Sequence, residues 1–370
     1  MLLALLGPLE IWRGMIGAND FSKIWAGSRA LLIGADPYDP LTWSATAVGL
    51  GTAPPDTAVY LYPPWVAIAL LPLAALPLAT ATVVWTAGGL AAAAIALRTL
   101  LRAVLPGRAW AHAIAALLLV FSPPGFVTLI TGQWTFVLVA ALATTALLLR
   151  GGRPILAGLT AVLLIAKPQL FVFTVPALAL AAIWPPAGAT RGDRRWLLVA
   201  GGVALAVVGI AWVLVPSWWP AWLRGVAQAQ VEVDPITIST ALRAVFGPPG
   251  VWLAAVVLLG SVAVAFRFHP RSDAWLPVWL SLSSAATVYS NTYDLLLLVV
   301  PLVLGAGAAA ARGTRWRPAA ILIGGAVILG PGMAYLHQGE GLRYAGFVPL
   351  AVFALITALL WRDGSATLIR

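Results

Sequence analysis

Apolar runs long enough to cross a bilayer recur from one end of this 370-residue chain to the other, and that recurrence leaves few folds open. A helix needs ~20 predominantly apolar residues to span the hydrocarbon core, so the pattern predicts an all-α polytopic membrane protein. Composition agrees: 61% of the residues are hydrophobic and 9% charged, where soluble domains run near half and about a quarter.

A net charge of +10 would point to nucleic acid in a soluble protein. In a membrane protein it is read by position, because Lys and Arg collect in cytoplasmic loops. The partner expected is the bilayer, and no nucleic acid. The chain has no cysteine, which excludes disulfides, thiol catalysis and thiolate metal sites. His112, His269 and His337 are scattered without ligand spacing, so a His-based metal site is not expected.

Basic clusters at Arg98/Arg102/Arg108, Arg150/Arg153, Arg191/Arg194/Arg195, Arg267/Arg271, Arg312/Arg315/Arg317 and Arg362/Arg370 hold 15 of the 22 basic residues. With Asp193, Asp273 and Asp363 they hold only 3 of the 12 acids. The asymmetry assigns them to the cytoplasm, and the segments 13–78 and 217–249 face outward. Successive cytoplasmic clusters must be separated by an even number of crossings. The apolar lengths fit pairs: 109–127 with 134–149, 154–166 with 169–184, 196–216 with 250–267, 274–289 with 295–311, and 318–335 with 344–361. Two apolar runs lie in 62–101, and only the second is long and free of proline. The first carries Pro63, Pro64, Pro72 and Pro77 and is expected along the outer interface. "MLLALLGPLEIW" falls short of a span and is expected to be the outer half of a first helix. The expected total is about 12 transmembrane helices in a single domain over 1–370, with both termini inside.

Uncommon polar residues gather on the outer side. "GANDFSKIWAGSRALLIGADPYDP", residues 17–40, puts five charged side chains into 24 positions. At 100° per residue, Phe21, Ile24, Trp25, Ser28, Leu31 and Leu32 share one face, with Ser22, Lys23 and Arg29 on the other. That predicts an amphipathic helix lying on the outer leaflet. Gly34 should stop it, and "DPYDP" should turn the chain into a second short helix with Asp39 as its cap. "TGQW" (131–134), "AKPQ" (166–169) and "SNTYD" (290–294) fall on the same side. Ionisable groups in or beside a bilayer are costly to place, so four such places predict an outward-facing polar cavity.

The order of these segments carries a resemblance. "NDFSKIWAGSRALLIGADPYDP", "YLYPPWVAIALLPLAALP", "TGQWTFVLVAAL" and "GLTAVLLIAKPQLF" resemble glycosyltransferase family 87, the polyprenol-phosphate-mannose-dependent α-mannosyltransferases of the GT-C superfamily. The likeness is close over 17–180 and continues beyond in hydropathy and loop order. It implies a GT-C-like helical bundle and a lipid-linked sugar phosphate as donor, with no cofactor. It also implies that an acid of the first external loop, here Asp20, is the general base. Two places depart from the family's pattern. The second external loop offers Gln133 in place of an acid, which argues against metal there. The later loop reads Tyr293–Asp294 where some relatives have a histidine.

Plainer readings stand beside these. Asp20 would also serve as a helix cap, as Asp and Asn commonly do. Lys167 reads as a donor-phosphate contact or as a lysine snorkelling from a helix end. Asp36 and Asp39 read as turn and cap residues, and "SWWPAW" (217–222) as an interfacial belt. Arg224 and Arg243 read as contacts to the donor phosphate or to lipid headgroups generally, and Glu232 and Asp234 as solvated loop charge. Gln133, Tyr293 and Asp294 complete the candidate substrate-binding set.

The chemistry asks for little more. A lipid phosphate is its own leaving group, so no acid must protonate it, but its charge needs cations such as Lys167. An attacking hydroxyl must lose a proton, which asks for one positioned carboxylate. The two facing carboxylates of a glycoside hydrolase are not apparent. The expected activity is transfer of a hexosyl group, mannosyl on the resemblance, from a polyprenyl-phosphate sugar to a glycan or glycolipid. It would act at the outer face of the plasma (inner) membrane. The rival readings are a transporter or lipid flippase, which would show inverted repeats and charge near the midplane, and another polyprenyl-linked transferase of the O-antigen ligase or polymerase type.

Overall fold

Residues 17–183, 195–232, 235–270, 272–337 and 339–361 are described by a computed structural model. Among them every regular element is helical and there is no strand. Leu78–Val104, Thr292–Ala311, Arg317–Leu336 and Gly341–Leu360 are long and apolar enough to cross a membrane, and six spans result if each of two bent pairs counts as one. These are the elements of a polytopic membrane protein. The bent pairs owe their shape to proline, which lacks an N–H and ends the preceding helix. Ala109–Phe121 turns by 49° into Pro123–Thr131, and Leu198–Leu214 turns by 100° into Trp218–Gln228 across Pro216. The half-helix expected over residues 1–12, and the charges expected at Asp193, Arg191, Arg194, Arg271, Asp234, Arg362, Asp363 and Arg370, lie outside the described residues.

The chain divides into two compact units. The first comprises Met1–Ala91, Thr128–Trp134 and Val203–Val233; the second comprises Ala92–Val127, Thr135–Gly202 and Asp234–Arg370.

In the first unit, helix α1 (Asp20–Leu32) begins at Asn19, whose side chain accepts the Ser22 amide at 2.8 Å. It ends as the sequence predicts, just before Gly34, whose φ of +78° is the left-handed conformation glycine adopts without strain. Phe21, Ile24, Trp25 and Ser28 are buried, as the periodicity predicts, but so is Ser22, while Leu32 is exposed. Burying Ser22 leaves its hydroxyl satisfied, because it donates to the Gly17 and Asn19 carbonyls at 2.9 and 2.7 Å. At Gly27 the Tyr60 ring covers the helix so closely that a Cβ would lie 2.4 Å from it. Helix α1 is therefore enclosed on more than its apolar face.

Helix α2 (Trp43–Gly49) follows the turn, with Thr42 rather than Asp39 at its cap position. Asp39 instead holds the turn itself, accepting from the Leu41 amide at 3.0 Å and the Thr42 hydroxyl at 2.8 Å. The proline-rich run breaks into α3 (Pro64–Ala69) and α4 (Leu71–Ala74), six and four residues long. Neither approaches the length of a span. Trp25 donates to the Leu76 carbonyl at 3.2 Å and Arg29 to the Ala74 carbonyl at 3.0 Å. Both satisfy carbonyls that the end of α4 leaves without helical partners.

In the second unit, Trp275–Ala285 and Val299–Ala311 are buried along most of their length, and Phe347–Leu360 packs against both. The run 154–166 does not stay α-helical. It tightens into a 3₁₀ turn at Val162–Ala166, and Lys167, forced out of helical geometry by Pro168, separates it from a second 3₁₀ turn at Pro168–Phe171.

Candidate active site

The first unit builds its site around Asp20. Gly132 of "TGQW" has φ +64°, and a Cβ there would stand 2.7 Å from the Phe21 Cβ. Glycine thus lets this turn lie directly on the first turn of α1. Trp85 fastens it, donating from Nε1 to the Gly132 carbonyl at 2.8 Å. The Trp85 ring stacks on Phe21 and meets Trp134 edge-on, with centroids 5.6 and 4.7 Å apart. Gln133 is carried to Asp20: its Nε2 donates to Oδ2 at 2.7 Å. Gln133 is buried, and the Tyr62 hydroxyl lies 3.1 Å from its Nε2 and 3.4 Å from its Oε1.

Tyr62 is in turn held through its backbone. Its carbonyl accepts a short hydrogen bond from the Tyr38 hydroxyl. Beside it the Leu61 carbonyl accepts from Trp222 Nε1 at 2.7 Å, and the Tyr60 amide donates to the Pro37 carbonyl at 3.0 Å. Asp36 anchors Tyr38, accepting its amide at 2.8 Å on Oδ1 and the Ser217 hydroxyl at 2.9 Å on Oδ2. Burial pushes the Tyr38 phenol well above the usual tyrosine range, with Tyr60 and Asp36 adding to it; burial alone does the same for Tyr60.

The five charges of 17–40 now have separate uses. Lys23 pairs with Asp56 at 2.6 Å on the surface, and Arg29 holds the end of α4. Asp39 spends both oxygens on its turn, and Asp36 divides its own between the Tyr38 amide and the distant Ser217 hydroxyl. Asp20 is not the cap of α1, because Asn19 is. Its Oδ2 is held by a neutral amide, and its Oδ1 has no hydrogen-bond partner among the described residues.

The second unit brings together another set. Lys167 Nζ lies 2.8 Å from Asp294 Oδ1, both side chains buried, and 4.4 Å above the Tyr293 ring. Lys167 is therefore an ion-pair partner rather than a snorkelling lysine. Asp294 Oδ2 accepts the Asn291 amide at 3.0 Å, which starts the 3₁₀ helix Thr292–Leu298, and Asn291 Nδ2 donates to the Tyr293 hydroxyl at 2.7 Å. Thr287 ties the two segments once more, donating to the Gln169 carbonyl at 3.0 Å. His337, from a distant element, sets Nε2 3.3 Å from the Thr292 hydroxyl and Nδ1 2.8 Å from the Met333 carbonyl.

The expected loop 217–249 contains two helices. Arg224 is exposed on Trp218–Glu232 in the first unit, and Arg243 is exposed on Ile238–Phe246 in the second. Of "SWWPAW", Trp218 is buried against Trp65, Trp212 and Trp219, with centroids 5.5, 5.8 and 5.1 Å away, while Trp219 is exposed. Among the described residues no group of three His, Asp or Glu side chains is disposed to hold a metal. Sequence pattern assigns no role to Tyr38, Tyr62, Asn291 or His337. Tyr38, Tyr62 and His337 act through partners distant in the chain, whereas Asn291 and Asp294 form a capping box that the spacing of the two residues could have marked.

Compared with known families, residues 60–301 match the family model of glycosyltransferase family 87. No curated protein and no solved structure matches significantly.

Proposed function

The chain belongs to glycosyltransferase family 87, and from that premise we propose that it moves a hexosyl group from a polyprenyl-phosphate sugar to a hydroxyl of a glycan or glycolipid. By the family likeness the sugar is mannose. Asp20 is the general base. The observation that carries this role is the carboxylate itself, fixed through Oδ2 by the Gln133 amide with no partner on Oδ1 among the described residues. As the acceptor oxygen attacks the anomeric carbon, its proton passes to Oδ1 and the bond from that carbon to the phosphate oxygen breaks. The polyprenyl phosphate leaves as an anion and needs no acid. Its charge calls for cations, for which Lys167, Arg224 and Arg243 are the candidates. Lys167 already answers to Asp294, which favours the exposed Arg224 for a first contact.

The charge asymmetry of the loops supports an active site on the outer face of the inner membrane within a GT-C-like bundle of about twelve crossings. On this cysteine-free background, single cysteines reacting with an impermeant reagent test it. Position 80 labelled only from the cytoplasm would defeat the interfacial placement of 62–77.

A transporter or flippase is favoured by one feature, the buried Lys167–Asp294 pair beside a 3₁₀ segment leading into a spanning helix. The deciding experiment supplies purified protein with a panel of labelled polyprenyl-phosphate sugars and an acceptor extract. Transfer from one of them is expected. Movement of lipid across vesicles without transfer from any would replace the enzyme reading.

A further inference from the structure

We propose that Gln133 is a positioning residue for the base rather than a substrate contact, and that Tyr62 fixes Gln133 in turn. The inference rests on the reading of Asp20 as general base. A carboxylate on a half-buried helix turn can rotate, and a base works only when the lone pair that takes the proton is aimed. One N–H at 2.7 Å on Oδ2 removes that rotation and leaves Oδ1 as the accepting oxygen.

The Gln133 amide has no donor left for a sugar. Its Nε2 serves Asp20 and Tyr62, its Oε1 faces the same Tyr62 hydroxyl, and the side chain is buried. The amide cannot turn over, because Oε1 would then face a carboxylate that only accepts. Tyr62 holds it there, with its own backbone clamped by Tyr38.

The residue type matters as much as the distance. A lysine or arginine in this place would compensate the carboxylate's charge and weaken it as a base. A glutamate would repel it. A neutral donor orients the group and leaves its charge available. Among the described residues no salt bridge reaches Asp20, and Lys23 on the same helix is paired with Asp56.

Steady-state kinetics of four variants test the assignment: Gln133→Met, Gln133→Glu, Tyr62→Phe and Asp20→Asn, the first also combined with Asp20→Asn. Gln133→Met should lower kcat by about tenfold to a hundredfold, the scale of a misplaced catalytic group, with both KM values unchanged. In the Asp20→Asn background it should cost nothing more, since there is no base left to aim. Gln133→Glu should hold activity only while the two carboxylates share a proton and lose it as pH rises, because the ionised side chain can no longer donate to Asp20 and repels it. Tyr62→Phe keeps the ring and the fold, and should reproduce the kcat loss in smaller measure. A raised acceptor KM with unchanged kcat in Gln133→Met would make Gln133 a substrate contact and overturn the proposal. An undiminished further loss in the double variant would overturn it too. Failure of the base reading appears elsewhere, as near-normal turnover in Asp20→Asn alone.

Discussion

Lys167 and Asp294, 127 positions apart in the chain, face each other at 2.8 Å with both side chains buried. A buried pair is costly to break from one side, because the remaining charge has neither water nor partner. Lys167→Gln should therefore destabilise the protein by about 3–5 kcal/mol. Lys167→Gln with Asp294→Asn should recover most of that stability, since it removes both charges and keeps donors and acceptors. Unfolding in detergent measures both, and a single variant as stable as the parent would mean the pair does not form. The double variant also separates the roles of Lys167. If the ammonium binds the donor phosphate as well as Asp294, the double variant should fold normally and still bind donor more weakly by about 1.5–3 kcal/mol.

Asp20→Asn keeps the shape of the side chain and can still accept from Gln133 if its amide oxygen faces Nε2. The cap of α1 is Asn19, so the helix should be unaffected. An amide does not take a proton at neutral pH, and a general base is worth about 10²–10⁴ in rate. A folded, inserted variant with donor binding intact and transfer down at least roughly a hundredfold is expected. Turnover near the parent's would remove Asp20 from the chemistry.

Gly132→Ala should lower both stability and turnover. The left-handed conformation costs a non-glycine residue roughly 1–2 kcal/mol, and the new methyl would press on the Phe21 Cβ at 2.7 Å. Gly34→Ala is the control: its φ is +78° but nothing lies within 4 Å of the added carbon. It should show the backbone cost alone and normal turnover. Equal turnover in the two variants would mean that the close approach of Gly132 to Phe21 does not position Gln133.

Tyr38 and Tyr60 make a prediction about alkaline pH. Folding raises both phenols above the unfolded value, so the folded chain keeps protons the unfolded chain gives up. Their contribution to stability is complete below about pH 10 and is lost as pH climbs through the raised values. Titrating phenolate absorbance of the folded protein should show a late fraction that ionises in step with unfolding and is lost in Tyr38→Phe and Tyr60→Phe. All seven tyrosines ionising together in the ordinary range, with the fold intact, would contradict the burial.

Local physics was legible without coordinates. The 3.6-residue repeat of Phe21, Ile24, Trp25 and Ser28, with Gly34 behind it, gave α1 and its end; the prolines of 62–77 argued against a span there, and the structure shows the segment broken into short helices. The break at Lys167–Pro168 was equally local and falls between the expected runs 154–166 and 169–184, but the 3₁₀ turns on either side of it were not foreseen. Only the tertiary structure decided which of Asn19 and Asp20 caps α1, since both residue types can do so and a shift of one residue in the helix start exchanges them. It also decided that Ser22 is buried, that Asp20 meets Gln133 across 113 positions, and that Lys167 meets Asp294. Periodicity reports which face of a helix is apolar and reaches only a few turns. A partner more than a hundred residues away is chosen by how helices pack, and that depends on approaches such as Gly132 on Phe21, where the absence of one side chain lets two distant backbones close.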